Sequence, residues 1–172
     1  MRILFVSFIL LSTTALLCQD SYTQAITELG LEFDYYPIEA SETNINYIGS
    51  GISLKEAILK CAELPNEYNA TDNEITEKDF VNLTEVKRTN LKSTKHVNYT
   101  YDYLTFMEYT FTDNCEAELF TQLLKCKSNY LTECISKGGI EYWLDQDKIY
   151  FIITGAYYMT FKYPEILKVI KK

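Results

Sequence analysis

The feature that most constrains the fold is the segment 97–111, in which two kinds of side chain alternate over fifteen residues. Nearly all odd positions carry apolar or aromatic side chains, and most even positions carry polar ones. Such alternation is typical of a strand with one buried face, because successive side chains point to opposite sides. The run is longer than an ordinary strand, so we predict a bent or twisted one.

Other segments predict further strands. Residues 80–91 form a less regular strand before the long one, and residues 92–96 are predicted to be the polar turn between the two. Residues 140–143 and 149–161 are two more predicted strands. The pattern favours an antiparallel sheet.

One helix is marked more clearly than the others. Ser53 and Glu56 form a capping box, in which Ser53 caps the helix and Glu56 reaches back to its amide. An apolar stripe follows, and Pro65 ends or kinks the helix. A capped helix followed by strands predicts an α+β fold, with one main helix packed across a curved antiparallel sheet.

Shorter helical patterns lie on either side. Apolar residues recur at helical spacing from Tyr22 to Leu29 and stop at Gly30, and residues 31–50 look irregular. Asn114 is placed to cap a later helix, and Pro164 opens a short amphipathic tail.

The N-terminus predicts the compartment. Arg2 precedes an apolar run too short to span a bilayer, and small residues follow it, as in a secretory signal peptide. Cleavage after Ala15 and cleavage after Cys18 both fit. We expect a secreted, extracellular protein with residues 1–18 as the signal peptide and no membrane span in the mature chain.

The remaining length fits one domain. We assign residues 19–48 to an N-terminal extension with a short helix and residues 49–172 to a single domain. Removing residues 1–18 takes the net charge from −8 to −9, because Arg2 is the only charged residue there. This acidity argues against nucleic acid and anionic membrane surfaces as partners.

Three sequons predict a glycoprotein. Asn69, Asn82 and Asn98 each begin an Asn-x-Thr triplet. Behind a signal peptide, such sites accept N-linked glycans in a eukaryotic host.

The cysteines predict disulfides rather than a metal site. The mature chain holds four of them, at positions 61, 115, 126 and 134, and four cysteines allow three pairings. No C-x-x-C motif occurs, and His96 is the only histidine, so a structural zinc site has too few ligands. We expect two disulfides, no metal and no cofactor.

The order of several motifs resembles the cystatin superfamily over residues 49–151. These are the glycine pair at Gly49 and Gly51 before the helix, Glu67-Tyr68-Asn69 near its end, Val97-Asn98-Tyr99 opening the long strand, and Cys115 closing it. The resemblance implies a cystatin-like fold for residues 49–172 and a function in protein binding, with a papain-like cysteine protease as a possible partner class.

The resemblance also implies disulfides and a binding edge. Cys115 would pair with Cys126, and Cys61 with Cys134 is the second expected pair. The partner-binding edge would combine the glycine pair and Trp143 with the first hairpin loop. By alignment that loop is Lys92, Ser93, Thr94, Lys95 and His96.

The same alignment shows departures from inhibitory cystatins. Their first hairpin loop reads Gln-x-Val-x-Gly, whereas residues 92–96 carry two lysines and an imidazole. Tyr142 stands where the second loop has a proline before its tryptophan. Desolvating Lys92 and Lys95 on entry into a protease cleft is costly, so we expect weak or non-papain inhibition.

Three functions remain open at this stage. The chain is a secreted cystatin-like glycoprotein that binds a protease or another protein, a non-inhibitory extracellular module, or a carrier of a small apolar ligand lined by the aromatic strands. Trp143 is either a core residue or an interface anchor. We predict no enzymatic activity, because His96 lies in a polar segment and no pair of carboxylates stands out as an acid–base couple.

Overall fold

The computed structural model describes residues 20–39, 53–62, 75–97, 100–126, 140–154 and 163–170. These ranges contain four α-helices, a 3₁₀ helix at Glu77–Phe80 and five strands. The helices are α1 (Ser21–Phe33), α2 (Leu54–Ala62), α3 (Asn114–Cys126) and α4 (Tyr163–Ile170). The strands are β1 (Tyr35–Ile38), β2 (Leu83–Val97), β3 (Thr100–Phe111), β4 (Ile140–Asp145) and β5 (Lys148–Thr154). None of the described helices is long and apolar enough to cross a membrane.

The strands form one antiparallel sheet in the order β1-β2-β3-β5-β4. β2 and β3 form a long hairpin, β4 and β5 form a short one, and β3 pairs with β5 to join them. This arrangement confirms the predicted α+β class with an antiparallel sheet. α1 and β1 contribute to the same core and sheet as the later elements, so residues 20–38 belong to this fold.

Helices pack against both faces of the sheet, which differs from the predicted single main helix. β3 shows why, because both sets of its alternating positions are buried: Met107 and Tyr109 point to one face, and Leu104 and Phe106 to the other. α2 and α3 cover the first face, and α1 and α4 cover the second. A sheet with two buried faces requires helices on each side.

Each face has its own apolar core. The face under α2 and α3 is closed by aromatic rings, with the Phe80 and Phe120 centroids 5.0 Å apart and those of Phe111 and Phe120 5.2 Å apart. The face under α1 and α4 buries Leu29, Leu91 and Ile166 among other residues. The strand residues of β5 alternate between the two cores.

α1 continues past Gly30, where the sequence predicted its end. It ends at Asp34, which adopts a left-handed conformation with φ 59°, and β1 begins at once. Glycine at position 30 eases the close approach of β1, because a Cβ there would lie 3.1 Å from the Tyr35 carbonyl oxygen. The prediction of irregular structure is therefore wrong at β1, which carries Pro37 and pairs with β2.

The predicted turn at residues 92–96 is also wrong. β2 runs through this segment to Val97, and His96 is paired with Tyr101 in the β2–β3 ladder. Polar residues are tolerated here because only the four-residue β1 lies outside β2 at this edge of the sheet.

Two helix starts follow the prediction closely. Ser53 N donates to Glu56 Oε2 at 2.7 Å and Glu56 N donates to Ser53 Oγ at 3.1 Å, which confirms the capping box. α3 begins at Asn114 as predicted, but its cap is Asp113, whose Oδ1 accepts from Glu116 N at 3.0 Å. Pro65 lies outside the described residues.

Candidate functional site

The predicted partner-binding residues are not brought together by the fold. In the ladder, Trp143 lies level with Tyr150, Glu108 and Lys87 on successive strands. Residues 92–96 lie at least five positions further along β2, about 17 Å away, and three strands to the side. Gly49 and Gly51 lie outside the described residues.

The individual residues of that set have structural partners within the sheet. Ser93 is buried and paired with Tyr35 of β1, and Lys95 forms an ion pair with Asp34. The Lys92 ammonium lies 5.8 Å from the centre of the Tyr103 ring. Thr94 is exposed, and the His96 side chain is not described. The segment therefore forms part of a strand rather than a protruding loop.

The predicted disulfide between Cys115 and Cys126 is wrong. Both residues lie in α3, and Cys115 is an exposed free thiol. Eleven residues of helix separate their Cα atoms by about 16 Å, whereas a disulfide needs them within about 7 Å. Cys61 lies in α2 without a described side chain, and Cys134 lies outside the described residues, so that second pair stays a prediction.

One of the three sequons falls in the described part of the chain. Asn82 lies half-exposed in the turn before β2. Thr84, the threonine of the same sequon, is exposed, and its Oγ1 donates to the Thr110 carbonyl at 2.9 Å. This position is accessible to a glycan. Asn69 and Asn98 lie outside the described residues.

The feature that stands out is a cleft of about 460 Å³ between α1, α4 and the sheet. α1 contributes Ser21, Gln24, Ala25 and Glu28 to it, and α4 contributes Ile170. The sheet contributes residues from β3, β5 and β4: these are Phe106, Tyr150, Trp143, Leu144 and Asp145. Its volume is within the range of small-molecule sites.

Three aromatic rings form the floor of the cleft. The Phe106 and Tyr150 centroids are 5.9 Å apart, those of Tyr150 and Trp143 are 5.1 Å apart, and the rings are nearly parallel. They share a face because Tyr150 and Trp143 are register partners and Phe106 lies two positions from Glu108, the partner of Tyr150. Trp143 is the half-buried member, so a ligand would meet its indole first.

Hydrogen bonds fix α1 above this floor. The Tyr22 hydroxyl donates to Thr89 Oγ1 at 2.9 Å and lies 3.2 Å from the Phe106 carbonyl oxygen. Ser21 Oγ and the Tyr150 hydroxyl share a hydrogen bond of 2.7 Å. One turn after Ser21 the small side chain of Ala25 faces the sheet, which leaves room beside the rings.

A cluster of four charged residues, the ion cluster, lies at the N-terminal end of α1, beside the cleft. Its members are Asp20, Lys87, Glu108 and Lys148. Glu108 is fully buried on β3, with Lys87 Nζ 3.0 Å from its Oε1 and Lys148 Nζ 3.4 Å from its Oε2. Both lysines also pair with Asp20, at 2.9 and 3.8 Å. The two lysines thus surround the buried Glu108 carboxylate with positive charge from β2 and β5.

These surroundings shift several pKa values. The hydrogen bond from Lys87 holds the pKa of Asp20 below its usual value, and the same contact raises the pKa of Lys87. Burial raises the pKa of the Tyr22 and Tyr150 phenols. Both phenols are therefore neutral at physiological pH, and Asp20 and Lys87 stay ionised.

This chemistry suits binding. Among the described residues that line the cleft there is neither histidine nor cysteine, and the Ser21 hydroxyl is bonded to a neutral phenol rather than to a base. The described residues contain no group of three or more side chains that could hold a metal ion.

Sequence reasoning identified Trp143 and raised a pocket lined by the aromatic strands, but it did not place a cleft under α1 and α4, and it missed the ion cluster. The even positions of β3 look polar because Asp102, Glu108 and Thr110 lie among them, yet Leu104 and Phe106 between them are buried. Leu104 and Phe106 pair with β5, in which every residue from Ile149 to Thr154 is buried. This apolar run of β5 was the signal that could have shown that both faces of β3 are covered.

Comparison of the chain with protein-family models, with curated proteins and with solved structures gives no match.

Proposed function

We propose that this chain is a secreted protein that binds a small apolar ligand in the cleft between α1 and α4. The observation that carries the proposal is the floor of three stacked rings under a cleft of about 460 Å³. An apolar site with a few convergent polar groups is the usual form of a small-molecule site. The predicted signal peptide and sequons support secretion.

The single tryptophan provides a direct measurement of binding. Trp143 is the only tryptophan in the chain and lines the cleft. Its emission is absorbed by N-phenyl-1-naphthylamine, a neutral aromatic probe, so binding beside the indole quenches tryptophan emission and raises probe emission. At about 0.3 kcal/mol for each of its roughly 17 non-hydrogen atoms, the probe should bind with a dissociation constant of order 10⁻⁴ M.

A matched pair of alanine variants locates that binding. Ala25 faces the cleft from α1, whereas Ala57 faces the opposite side of the sheet from α2, and both are buried. Replacing either alanine by leucine overpacks a core and should lower the free energy of unfolding by about 1–3 kcal/mol. We expect Ala25→Leu to abolish saturable quenching and Ala57→Leu to preserve it. Equal binding by both variants, or no saturable binding by the wild-type chain, would overturn the proposal.

Protein binding through Trp143 and residues 92–96, with cystatin-like inhibition, stays a separate hypothesis. Its basis is the order of sequence motifs, and its test is titration against papain.

A further inference from the structure

We propose that Tyr36 is a site of O-sulfation, modified in the secretory pathway by a tyrosine sulfotransferase. The proposal rests on the secretion that forms part of the proposed function, and it is independent of the cleft. In this reaction the sulfuryl group of phosphoadenylyl sulfate passes to the phenolic oxygen of Tyr36. The bond between sulfur and the donor phosphate oxygen breaks as adenosine bisphosphate leaves, a bond between sulfur and the Tyr36 oxygen forms, and the phenol proton passes to a base of the transferase.

The Tyr36 phenol is accessible, whereas its neighbour is not. Tyr36 is 39% exposed on the edge strand β1, and Tyr35 is 5% exposed in the core under α1 and α4. The two side chains point to opposite faces because successive residues of a strand alternate. Within the part of the chain that the structure describes, no hydrogen bond, ion pair or ring contact engages the Tyr36 phenol. Its oxygen is therefore open to an incoming sulfuryl group.

The sequence around Tyr36 has the charge that such an enzyme attracts. Glu32, Asp34 and Glu39 lie within four positions of Tyr36, and residues 19–54 contain no lysine or arginine. A tyrosine sulfotransferase holds a polyanionic donor in a basic cleft. An acceptor segment that is rich in carboxylates and free of cations is therefore attracted to that cleft.

The folded sheet can also accommodate the added charge. Tyr36 is paired with Lys92 of β2 in the ladder, and directly opposed side chains have Cβ atoms about 5 Å apart. A sulfate on Tyr36 would lie within reach of the Lys92 ammonium group and would remain in contact with solvent. Modification would therefore not bury an unpaired charge.

The test uses the purified mature protein, a tyrosine sulfotransferase and radioactive phosphoadenylyl sulfate. A protease that cleaves after glutamate releases residues 33–39, a fragment without a sequon in which Tyr35 and Tyr36 are the only tyrosines. We expect label in this fragment, and electron-transfer fragmentation should place the sulfate on Tyr36. Label confined to Tyr35, or no label in the fragment, would overturn the proposal.

Two variants and a peptide separate the effect of the fold from that of the sequence. Tyr36→Phe should lose the label of fragment 33–39, and Tyr35→Phe should keep it, although both variants leave the neighbouring carboxylates unchanged. Because Tyr36 is exposed, its replacement by phenylalanine should leave the fold intact. A synthetic peptide of residues 28–42 exposes both tyrosines and should be labelled at both. Equal labelling of Tyr35 and Tyr36 in the folded protein would contradict selection by exposure.

Failure of this inference differs from failure of the proposed function. Animal cells that express the chain in radioactive sulfate should release labelled protein into the medium, and chlorate, which blocks formation of the sulfate donor, should remove the label. Protein that reaches the medium without label in residues 33–39 would overturn the sulfation and leave secretion and the cleft intact. Protein that stays inside the cells would contradict secretion, and with it sulfation in the secretory pathway.

Discussion

The two faces of the sheet are covered by helices in different ways. Under α2 and α3 the core is closed by apolar and aromatic side chains. Under α1 and α4 the apolar core is interrupted by a fully buried carboxylate with its lysines and by a cleft. A single sheet thus has one face whose buried polar groups, such as Asn90 and Thr105, are uncharged and one that combines packing with a buried carboxylate and a cleft.

The difference teaches where function is to be sought in this fold. Buried charges cost more free energy than apolar residues of the same volume, and cavities remove packing contacts. The face that has both features contributes less to the free energy of unfolding than a fully packed apolar face would. This makes it the better candidate for a binding site. The following predictions test that assignment.

The largest expected effect is on the α2/α3 face. Phe120→Ala removes a ring packed against Phe80 and Phe111, and should lower the free energy of unfolding by about 3–5 kcal/mol in urea denaturation. The adjacent Leu119 is exposed, so Leu119→Ala should cost less than about 0.5 kcal/mol. Probe affinity of the folded Phe120 variant should stay unchanged, and a parallel loss of affinity would break the separation of the faces.

Protease binding through residues 92–96, a third region of the molecule, would also contradict the assignment of binding to the α1/α4 face. Residues 92–96 lack the inhibitory Gln-x-Val-x-Gly sequence and lie in β2, with Ser93 buried. We expect papain inhibition at least about a hundredfold weaker than that of an inhibitor with the full motif, a difference of about 2.7 kcal/mol. Grafting the motif onto these positions should disturb β2 without restoring inhibition. Nanomolar inhibition of papain by the wild-type chain would contradict this.

The ion cluster gives a prediction of intermediate size that sharpens the comparison of the two faces. Lys87→Met leaves the buried Glu108 with Lys148 alone, and should cost about 2 kcal/mol of unfolding free energy because Lys148 partly compensates. Adding Glu108→Leu should recover much of that loss. The matched control is Lys95→Met, which breaks an exposed pair with Asp34 and should cost less than about 1 kcal/mol. Equal losses for the two lysine variants would show that burial of the cluster has no special weight.

The smallest effect is a dependence on pH. The pKa of Asp20 is lowered in the folded protein, so its contribution to stability is present above about pH 4 and is lost as the pH falls through the lowered value. Asp20→Asn retains a residue able to cap α1 but removes the charge, and should reduce the acid dependence of unfolding by less than about 1 kcal/mol. An unchanged pH profile would show that Asp20 adds nothing to the cluster.

Local signals in the sequence predicted local structure well. The capping box at Ser53 and the helix after Asn114 depend on neighbouring residues, and both are confirmed. The strand after residue 97 also follows from its own alternation. These features involve short-range interactions that periodicity and capping residues encode directly.

Features that depend on distant pairing were not predictable in the same way. The segment 92–96 looks like a turn because it is polar, but β1 pairs with Lys92 and Ser93, and β3 pairs with Lys92 and His96 across a register shift. From the sequence alone Glu108 looks solvent-facing, because its lysine partners are distant along the chain, in β2 and β5. The pairing of Cys115 with Cys126 came from resemblance, and the helical pattern between them already argued against it.

Pro37 has a consequence for self-association. Thr94 N donates to the Asp34 carbonyl, and the alternation of the antiparallel ladder then turns the nitrogen of Pro37 away from β2. The outer side of this edge strand therefore lacks one N–H donor, and β1 is only four residues long. A second copy of the chain would find few groups with which to extend the sheet there, which protects this edge against strand-to-strand aggregation.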